Sequence, residues 1–511
     1  MVGTVVKDSG RGNSWQGPDG TDLENYADYN TYTLPLEKSW TLADAPLQPI
    51  GKHHDFSYIN AALWPSADGS SFYSYGGAVS WATQLYSWPS LENWYWQFTP
   101  NTTGGNWDVV PPNVQSNFSI LSRSANALYA SGNGLGFALG GTESTQTNYG
   151  LYETMDIQGL VMYNDTSQQW WNISSTGYSY SGTAHDGAAH FVPSFGPEGL
   201  LFVFGGYANG RPAPFDYVYL FEPVSQQWRK QEVSGTPPAP VTNPCVVGVE
   251  GDNGTYEIFL HGGLDTELDL DGSIALGAVW SFTLPAFNWQ MHSSESKFAR
   301  TRHSCNVAGN RQMVVVGGQV STADSTLDNF VRDPWPQGVG IYDLSALSWS
   351  DGFDANAAAY VTPDAVKAYY MANGSIPDSM TDPDVKQWFL RNTDHPISSS
   401  RPSQDHSSGG TSAGAIAGGV IGGVVIMAIA GAIIWYLLRR RRRSKQHVGN
   451  DRSEYHKAEL DTEQRARLEL DGRGAAELPG GKGHHELLAE ERTTDPVQVH
   501  EMDVNDGRRY T

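Results

Sequence analysis

Residues Leu201–Trp228 read LFVFGGYANGRPAPFDYVYLFEPVSQQW and contain two sequence elements that recur along the chain. The first is a short apolar run that ends in two glycines, here Gly205 and Gly206. The second is another apolar run with an aromatic residue, Phe221, which is followed after six residues by Trp228. Runs of this composition predict strands, and the glycines predict turns between them.

Five glycine pairs follow such runs, at intervals of 55 to 65 residues. The pairs are Gly76 and Gly77, Gly140 and Gly141, Gly205 and Gly206, Gly262 and Gly263, and Gly317 and Gly318. The second element recurs as Tyr163 with Trp170, Phe221 with Trp228, Phe282 with Trp289 and Tyr342 with Trp349, and more loosely as Tyr86 with Trp94. This period is typical of repeats that each form one four-stranded sheet.

The repeated glycines and tryptophans have a structural explanation. One four-stranded sheet cannot bury both faces, whereas sheets arranged radially cover each other. Glycine permits positive φ where a strand ends in a crowded place, and an indole is large enough to fill the space between successive sheets. We therefore assign a structural role to the ten glycines and to Trp40, Trp94, Trp170, Trp228, Trp289 and Trp349.

Two stretches carry a closer resemblance to known proteins. They are RTRHSCNVAGNRQMVVVGGQ (Arg300–Gln319) and DPWPQGVGIYDLSALSW (Asp333–Trp349). With five repeats in register over roughly residues 30–362, the chain resembles the kelch repeat β-propellers, as in the central domain of galactose oxidase. More narrowly, it resembles the fungal single-pass kelch repeat membrane proteins. The resemblance implies a secreted all-β propeller on a membrane anchor.

Six blades are expected, within a range of five to seven. Five units are complete, and a sixth is expected to combine Thr33–Trp40 with Tyr360–Val361 from the other end of the chain. The early strand ending in two glycines that the family usually shows is missing from VGTVVKDSG (residues 2–10), so residues 1–29 are expected to be irregular. No apolar run of signal-peptide length follows Met1, which favours an incomplete start.

A membrane span is predicted from the 26 uncharged residues Ala413–Leu438, which are followed by Arg439–Arg443. A helix of that length reaches about 39 Å and crosses a hydrocarbon core of about 30 Å. The arginines place the C-terminal side in the cytoplasm. Gly418 and Gly422 form a GxxxG pattern, which favours a homodimer, against the alternative of an anchor without a partner.

The regions around this span differ in composition. The propeller ectodomain is assigned to residues 30–395, with short helices at Pro363–Ala372, capped by Thr362, and at Pro383–Leu390, after Asp382. Residues 396–412 are expected to form a flexible Ser/Gly stalk, and residues 439–511 a disordered cytoplasmic tail.

The negative charge lies entirely before the span. Residues 1–412 contain 17 Lys and Arg against 40 Asp and Glu, which equals the net charge of −23 of the whole chain. Such a surface repels phosphate backbones and excludes nucleic acid as a partner. All six Asn-x-Ser/Thr glycosylation sites also precede the span, at Asn101, Asn117, Asn164, Asn172, Asn253 and Asn373. Their position agrees with an extracytoplasmic propeller on the plasma membrane or another secretory-pathway membrane.

Several residues suggest sites. Cys245 and Cys305 form either a disulfide or two buried thiols. Glu267, Asp269 and Asp271 resemble the start of a calcium loop, but Ala278 stands where the final bidentate carboxylate belongs, so a solvated acidic loop is favoured and no metal or other cofactor is expected.

Five polar residues are expected near the ends of innermost strands, where propellers bind ligands. They are His185, Asp186, His190, Arg302 and His303. Each is either a ligand contact or a hydrogen-bonded structural residue.

No catalytic residue is assigned. The motifs of serine hydrolases, zinc proteases and phosphate-binding loops are absent from the sequence. The function predicted is a non-enzymatic membrane protein whose propeller binds protein or glycan. The alternative is a membrane-tethered propeller enzyme such as a galactose-oxidase-like oxidoreductase, whose copper site needs two histidines, a tyrosine and a cysteine linked to a tyrosine.

Overall fold

The computed structural model describes residues 4–8, 13–15, 24–26, 30–51, 58–79, 95–101, 104–110, 117–148, 150–266, 275–309, 311–320, 333 and 335–390. These residues belong to the first of two units, Met1–Pro402. The predicted stalk, span, GxxxG pattern and tail lie outside them, as do Trp94 and the acidic residues Glu267, Asp269 and Asp271. None of the helices in the described part of the chain is long and apolar enough to cross a membrane.

The described residues form six antiparallel sheets in chain order. The first has three strands, Thr4–Asp8, Asn30–Pro35 and Gln48–Gly51. The second contains Ala62–Pro65, Phe72–Tyr75, Tyr95–Asn101 and Gly104–Val110. The third contains Leu128–Gly132, Leu135–Leu139, Leu160–Asn164 and Gln169–Ile173.

The other three sheets repeat this order. The fourth contains Ala188–Val192, Leu200–Phe204, Tyr217–Glu222 and Gln227–Glu232. The fifth contains Cys245–Glu250, Tyr256–His261, Ala278–Leu284 and Asn288–Ser294, with Ser234–Gly235 added in parallel. The sixth contains Ser304–Ala308, Gln312–Val316, Val339–Asp343 and Ser348–Ser350.

Short ribbons and helical turns join these sheets. The two- and three-stranded ribbons are Tyr58–Ile59 with Ala78–Val79, Thr142–Glu143 with Met155–Asp156, Ala184–His185 with Tyr207–Ala208 and Arg211–Pro212, Val241–Thr242 with Leu264–Asp265, Asn13–Trp15 with Glu24–Tyr26, and Trp40–Thr41 with Gly352–Phe353. The single-turn helices are Leu42–Asp44, Asn117–Ile120, Asp252–Gly254, Ser296–Phe298 and Pro336–Gly338. This all-β architecture agrees with the predicted class.

Successive sheets contact each other through their first strands. Leu128–Gly132 contacts Ala188–Val192, which contacts Cys245–Glu250, which in turn contacts Ser304–Ala308. The first strand of the first sheet, Thr4–Asp8, also contacts Ser304–Ala308. The first strand of each sheet is thus the innermost one, as in a propeller.

The spacing of aromatic residue and tryptophan is explained by a hairpin. Phe221 and Trp228 are direct partners across the third and fourth strands, and the same holds for Phe282 with Trp289. Such pairs interact strongly on one face of a sheet. Trp289 is 2% exposed and also contacts Phe204 of the preceding sheet, with ring centroids 5.8 Å apart. The indole therefore links one sheet to the next.

The glycine pairs occupy the ends of second strands. All ten glycines have positive φ. At Gly140 (φ 63°) an added Cβ would overlap the carbonyl oxygen of Ala184, which lies in the short strand before the fourth sheet. A side chain there would separate neighbouring sheets, so the position requires glycine for both conformation and space.

The first and the last repeat unit meet in a way that the sequence did not predict. Tyr360–Val361 forms no strand, so the expected pairing of that segment with the first sheet is wrong. The contact is made instead by Trp40–Thr41 with Gly352–Phe353, where the Trp40 and Phe353 rings stack with centroids 5.5 Å apart. Thr4–Asp8, in the segment expected to be irregular, pairs with Asn30–Pro35.

Two helices complete the described chain. Helix α1 spans Asp364–Asn373 and helix α2 spans Pro383–Leu390. The capping role expected for Thr362 is wrong, because Pro363 occupies the N-cap without a side-chain bond. Asp382 accepts hydrogen bonds from the backbone N–H groups of Asp384 and Val385, so α2 begins as expected.

Helix α2 is held against the fourth and fifth sheets. It buries Val385, Trp388 and Phe389. The Phe389 ring lies 4.5 Å from Phe195 and 5.0 Å from Phe287, measured between centroids. The hydrophobic core therefore extends from the sheets over the helix.

Candidate functional site

One edge of the sheets carries a repeated polar position. The residue two positions before the first strand has a left-handed backbone, with φ between 52° and 58°, in five successive sheets. We call these residues the polar belt: Asn60, Asn126, Asp186, Asn243 and Arg302. Asparagine and aspartate tolerate this conformation better than other residues with side chains.

Hydrogen bonds connect the belt from sheet to sheet. The backbone N–H of Asp186 donates to the Asn126 carbonyl at 2.9 Å, that of Asn243 to the Asp186 carbonyl at 2.6 Å, and that of Arg302 to the Asn243 carbonyl at 3.0 Å. The Asn60 amide donates to Asn126 Oδ1 at 2.5 Å. The belt is therefore a preorganised polar surface around the starts of the innermost strands.

His185 and Asp186 give the belt an ionisable pair. His185 Nδ1 lies 2.9 Å from Asp186 Oδ2, and its Nε2 lies 3.8 Å from Asp156. The hydrogen bond to Asp186 raises the pKa of His185, and burial opposes the rise. The imidazole also stacks on Tyr207, with centroids 5.1 Å apart. On the far side of the belt, Arg302 donates to Gln319 at 3.0 Å.

An aromatic pocket opens at the same edge of the fourth sheet. Ala188 and Phe204 are register partners, so the end of the second strand lies beside the start of the first. The pocket follows directly after Phe204 and has a volume of about 370 Å³, which is within the range of small ligand sites. Its rim and walls include Tyr178, Tyr180, Arg211, Phe215, Tyr217 and Tyr219.

The pocket combines fixed walls with an exposed rim. Tyr178 is buried and meets Tyr219 edge to face, with centroids 4.9 Å apart. Lys230 Nζ lies 3.3 Å from the centroid of Tyr217 and makes a cation–π contact with the face of that ring. Tyr180, by contrast, is 83% exposed. An exposed aromatic side chain beside a preformed pocket is typical of a binding surface.

A second cluster is buried between the fifth and sixth sheets. Cys245 and His261 are direct partners across the first two strands of the fifth sheet. His303 lies directly before the first strand of the sixth sheet, and Cys305 is the second residue of that strand. Cys245 and Cys305 are joined by a disulfide, with Cα atoms 5.7 Å apart.

The four side chains bring possible metal ligands together. One donor atom from each of Cys245, His261, His303 and Cys305 lies within 4.8 Å of the others. His261 Nδ1 and His303 Nε2 are 2.9 Å apart, and His261 Nε2 donates to the Phe298 carbonyl at 3.2 Å. Burial lowers the pKa of His261 to about 3 and that of His303 well below its usual value, so both rings are neutral near pH 7.

The residues singled out from the sequence fall into different places. His185, Asp186 and Arg302 lie at the belt. His190 is a structural histidine, because it is hydrogen-bonded to the Tyr256 hydroxyl at 2.9 Å and burial lowers its pKa to about 4. His303 belongs to the buried cluster and not to the belt surface.

Most of the predicted glycosylation sites are accessible. Asn101, Asn117, Asn172 and Asn373 are exposed and Asn164 is partly buried, while the Asn253 side chain lies outside the described part of the structure. Glycosylation at these residues stays a prediction.

Four further residues of the belt and the cluster were not predicted from the sequence: Asn60, Asn126, Asn243 and His261. The three asparagines carry a signal, because each stands at one fixed distance before an innermost strand. His261 immediately precedes a glycine pair, but nothing in the sequence links it to His303.

Comparisons with known proteins agree with this geometry. A family model described as the KLHDC2/KLHL20/DRC7 Kelch-repeats domain matches residues 189–358, which include most of the fourth sheet and the fifth and sixth sheets. A curated "Kelch repeat-containing protein" of Arthroderma benhamiae is 25% identical over 377 residues, which are 66% of this chain and 54% of that protein. The chain thus spans about half the length of the curated relative that it matches.

Proposed function

We propose that this chain, a kelch-repeat protein, is a non-enzymatic interaction module that binds a protein partner on the face formed by the polar belt and the aromatic pocket. The observation that carries the proposal is the pocket of about 370 Å³ with the exposed Tyr180 on its rim. Kelch repeats commonly mediate protein interaction.

The pocket suits an apolar or aromatic anchor side chain of the partner. Buried anchors in desolvated pockets supply most of the binding energy of protein interfaces, and tyrosine and arginine are enriched there. Tyr178, Phe215 and Tyr219 provide aromatic walls, and Arg211 at the rim offers a donor to a carboxylate or carbonyl. The hydrogen-bonded belt requires little reordering on binding, which limits the entropic cost.

The membrane attachment of this module is part of the proposal. The apolar segment Ala413–Leu438 and the following arginines support a single span with the propeller on the extracytoplasmic side and the tail in the cytoplasm. The exposed sequons agree with that side. Glycosidase-shift and protease-protection mapping of the full-length chain tests it, and an unglycosylated, protease-accessible propeller in intact cells would contradict it.

The absence of catalysis is likewise proposed. Turnover of simple sugars or alcohols by the purified protein, together with bound copper, would favour the oxidoreductase alternative. In the buried cluster the two histidines are accompanied by two cysteines that are bonded to each other, whereas a copper radical oxidase needs a cysteine that is linked to a tyrosine.

Site-specific photo-crosslinking tests the binding face. A photoreactive residue is placed at Tyr180 on the pocket rim, or at Val224 as the control, in the full chain in its own cells. Val224 is 64% exposed and lies in the hairpin after Glu222, at the opposite edge of the same sheet. We expect a discrete protein adduct from position 180 and none from position 224.

The proposal fails if both positions give the same adducts, or if position 180 gives none while the purified protein binds a defined glycan. Once the partner is identified, Tyr180→Ala should weaken its binding by about fivefold or more, and Val224→Ala should not.

A further inference from the structure

We propose that Cys245, His261, His303 and Cys305 form a zinc-binding site when the disulfide is reduced, so that this one cluster has two mutually exclusive states. In one state the two sulfurs are bonded to each other, and in the other a Zn²⁺ ion lies between the four side chains. The inference concerns the buried junction of the fifth and sixth sheets and does not depend on the proposed binding face.

The donor set matches zinc. Two thiolates and two imidazoles in tetrahedral arrangement are a common structural zinc site. In such a site, with metal–ligand bonds of about 2.0 to 2.3 Å, donor atoms lie about 3.3 to 3.8 Å apart. The four donors here already lie within 4.8 Å of one another, and the two imidazole nitrogens are 2.9 Å apart. Small side-chain movements are therefore sufficient to bring the four donors to the distances of a tetrahedral zinc site.

The backbone register fixes the four positions. Cys245 and His261 face each other across one antiparallel pair, while His303 and Cys305 lie just before and within the first strand of the neighbouring sheet. Each sheet thus contributes one cysteine and one histidine. A metal ion at this place would connect two sheets, as the disulfide does.

The outer contact of His261 favours a lone pair that faces the cluster. His261 Nε2–H donates to the Phe298 carbonyl, so Nδ1, which faces His303, carries the lone pair. A backbone carbonyl in this role orients metal-binding histidines in many proteins. His303 Nδ1 is buried without a hydrogen-bond partner. Metal binding at His303 Nε2 would move the ring proton to Nδ1.

The charges also balance. Two thiolates and one Zn²⁺ ion have no net charge, so burial of the occupied site leaves no uncompensated ion. The nearby Arg300 is already paired with Asp333 and donates to the Gly317 carbonyl at 2.8 Å. It therefore remains bound to its own partners in both states.

The change of state is a two-electron reduction. A dithiol reductant transfers two electrons and two protons to the Cys245–Cys305 disulfide, which opens to two thiols while the reductant becomes a disulfide. Zn²⁺ then displaces the two thiol protons, which are released to solvent. In vitro, a water-soluble phosphine also reduces the disulfide to two thiols. The phosphine is oxidised to its oxide with the oxygen of one water molecule, and the protons of that water protonate the two sulfurs.

The test compares one protein in two redox states. The full-length chain, in detergent and without oxygen, is treated with the phosphine or left oxidised, incubated with Zn²⁺, freed of loose metal and analysed for zinc. We expect about one zinc ion per reduced chain and none on the oxidised chain. With Co²⁺ in place of zinc, the reduced chain should show the visible absorption of a tetrahedral site and a thiolate charge-transfer band.

Variants locate the site. His303→Gln should weaken zinc binding by more than about 100-fold, because loss of a ligand exceeds the effect of an outer contact. His190→Gln is the control, since His190 is partly buried and bonds to Tyr256 outside the cluster. Equal zinc on reduced and oxidised chains, no zinc on either, or unchanged binding by His303→Gln would each overturn the proposal. The redox comparison needs no substitution, so misfolding of a variant cannot decide the result.

Discussion

Replacing Glu257 by glutamine should remove a pH-dependent loss of stability. Glu257 lies in the second strand of the fifth sheet and is fully buried. Its carboxylate accepts hydrogen bonds from the hydroxyls of Thr283 at 3.3 Å and Thr362 at 3.5 Å. Thr362 precedes helix α1 and also accepts from the backbone N–H of Asp252 at 2.8 Å. The carboxyl group thus anchors the C-terminal helices to the sheet.

The size of the effect follows from the titration of this group. Burial raises the pKa of Glu257 from its ordinary value of 4.5 to about 7, although the hydroxyl contacts oppose the rise. The two values differ by about 2.5, and each pKa unit corresponds to about 1.4 kcal/mol, so ionising Glu257 costs about 3.5 kcal/mol more in the folded protein than in the unfolded chain. The folded state binds the proton more tightly. The protonated Glu257 therefore contributes its full share of the free energy of unfolding below pH 4.5, and this contribution is lost as the pH rises to about 7.

Denaturant unfolding of wild type and Glu257→Gln at about pH 4 and about pH 8 measures this difference. Glutamine has nearly the same shape but does not ionise. We expect the free energy of unfolding of the variant, relative to wild type, to increase by about 3 kcal/mol between the two pH values. Histidines with a lowered pKa, such as His190 and His292, change the stability of both proteins equally, so their effect cancels in the comparison.

The raised pKa of Glu257 is refuted if the free energies of unfolding of the two proteins differ by the same amount at both pH values. A difference that decreases with rising pH would show that the ionised carboxylate is favoured in the folded state, and that Thr283 and Thr362 outweigh burial.

Three further predictions concern packing, the belt and the sheet junctions. Phe389→Ala should lower the free energy of unfolding by about 3–5 kcal/mol in chemical denaturation, because α2 loses its main contact with the core; a loss below about 1 kcal/mol would contradict the docking of α2. Asp186→Asn should lower the pKa of His185 in an NMR titration, since the carboxylate is the main cause of its raised value; an unchanged pKa would refute the pair. Gly140→Ala should cost about 1–3 kcal/mol more than Gly69→Ala, because both have positive φ but only Gly140 lacks space; equal thermal shifts would contradict the steric argument.

Much of the repeat architecture could be read from the sequence, because it depends on local spacing. Six residues between Phe221 and Trp228 are the length of a hairpin that places the two rings opposite each other. The Gly-Gly pairs likewise mark the ends of second strands, where the backbone lies close to the segment that leads into the next sheet.

Features that depend on distant partners could not be predicted in the same way. Tyr360–Val361 has the composition of a strand, yet Gly352–Phe353 is the segment that pairs with Trp40–Thr41. Thr4–Asp8 is a strand because Asn30–Pro35 lies beside it. His261 and His303 meet only because the register of two sheets brings residues 42 positions apart together.

The binding face itself is tested most directly by hydrogen–deuterium exchange of the full chain with and without the crosslinked partner. We predict that the bound partner slows amide exchange in the loop after Phe204, which forms the pocket. Exchange in the hairpin around Val224, at the opposite edge, should not change. Protection confined to the Val224 hairpin, with free exchange at the pocket loop, would contradict it.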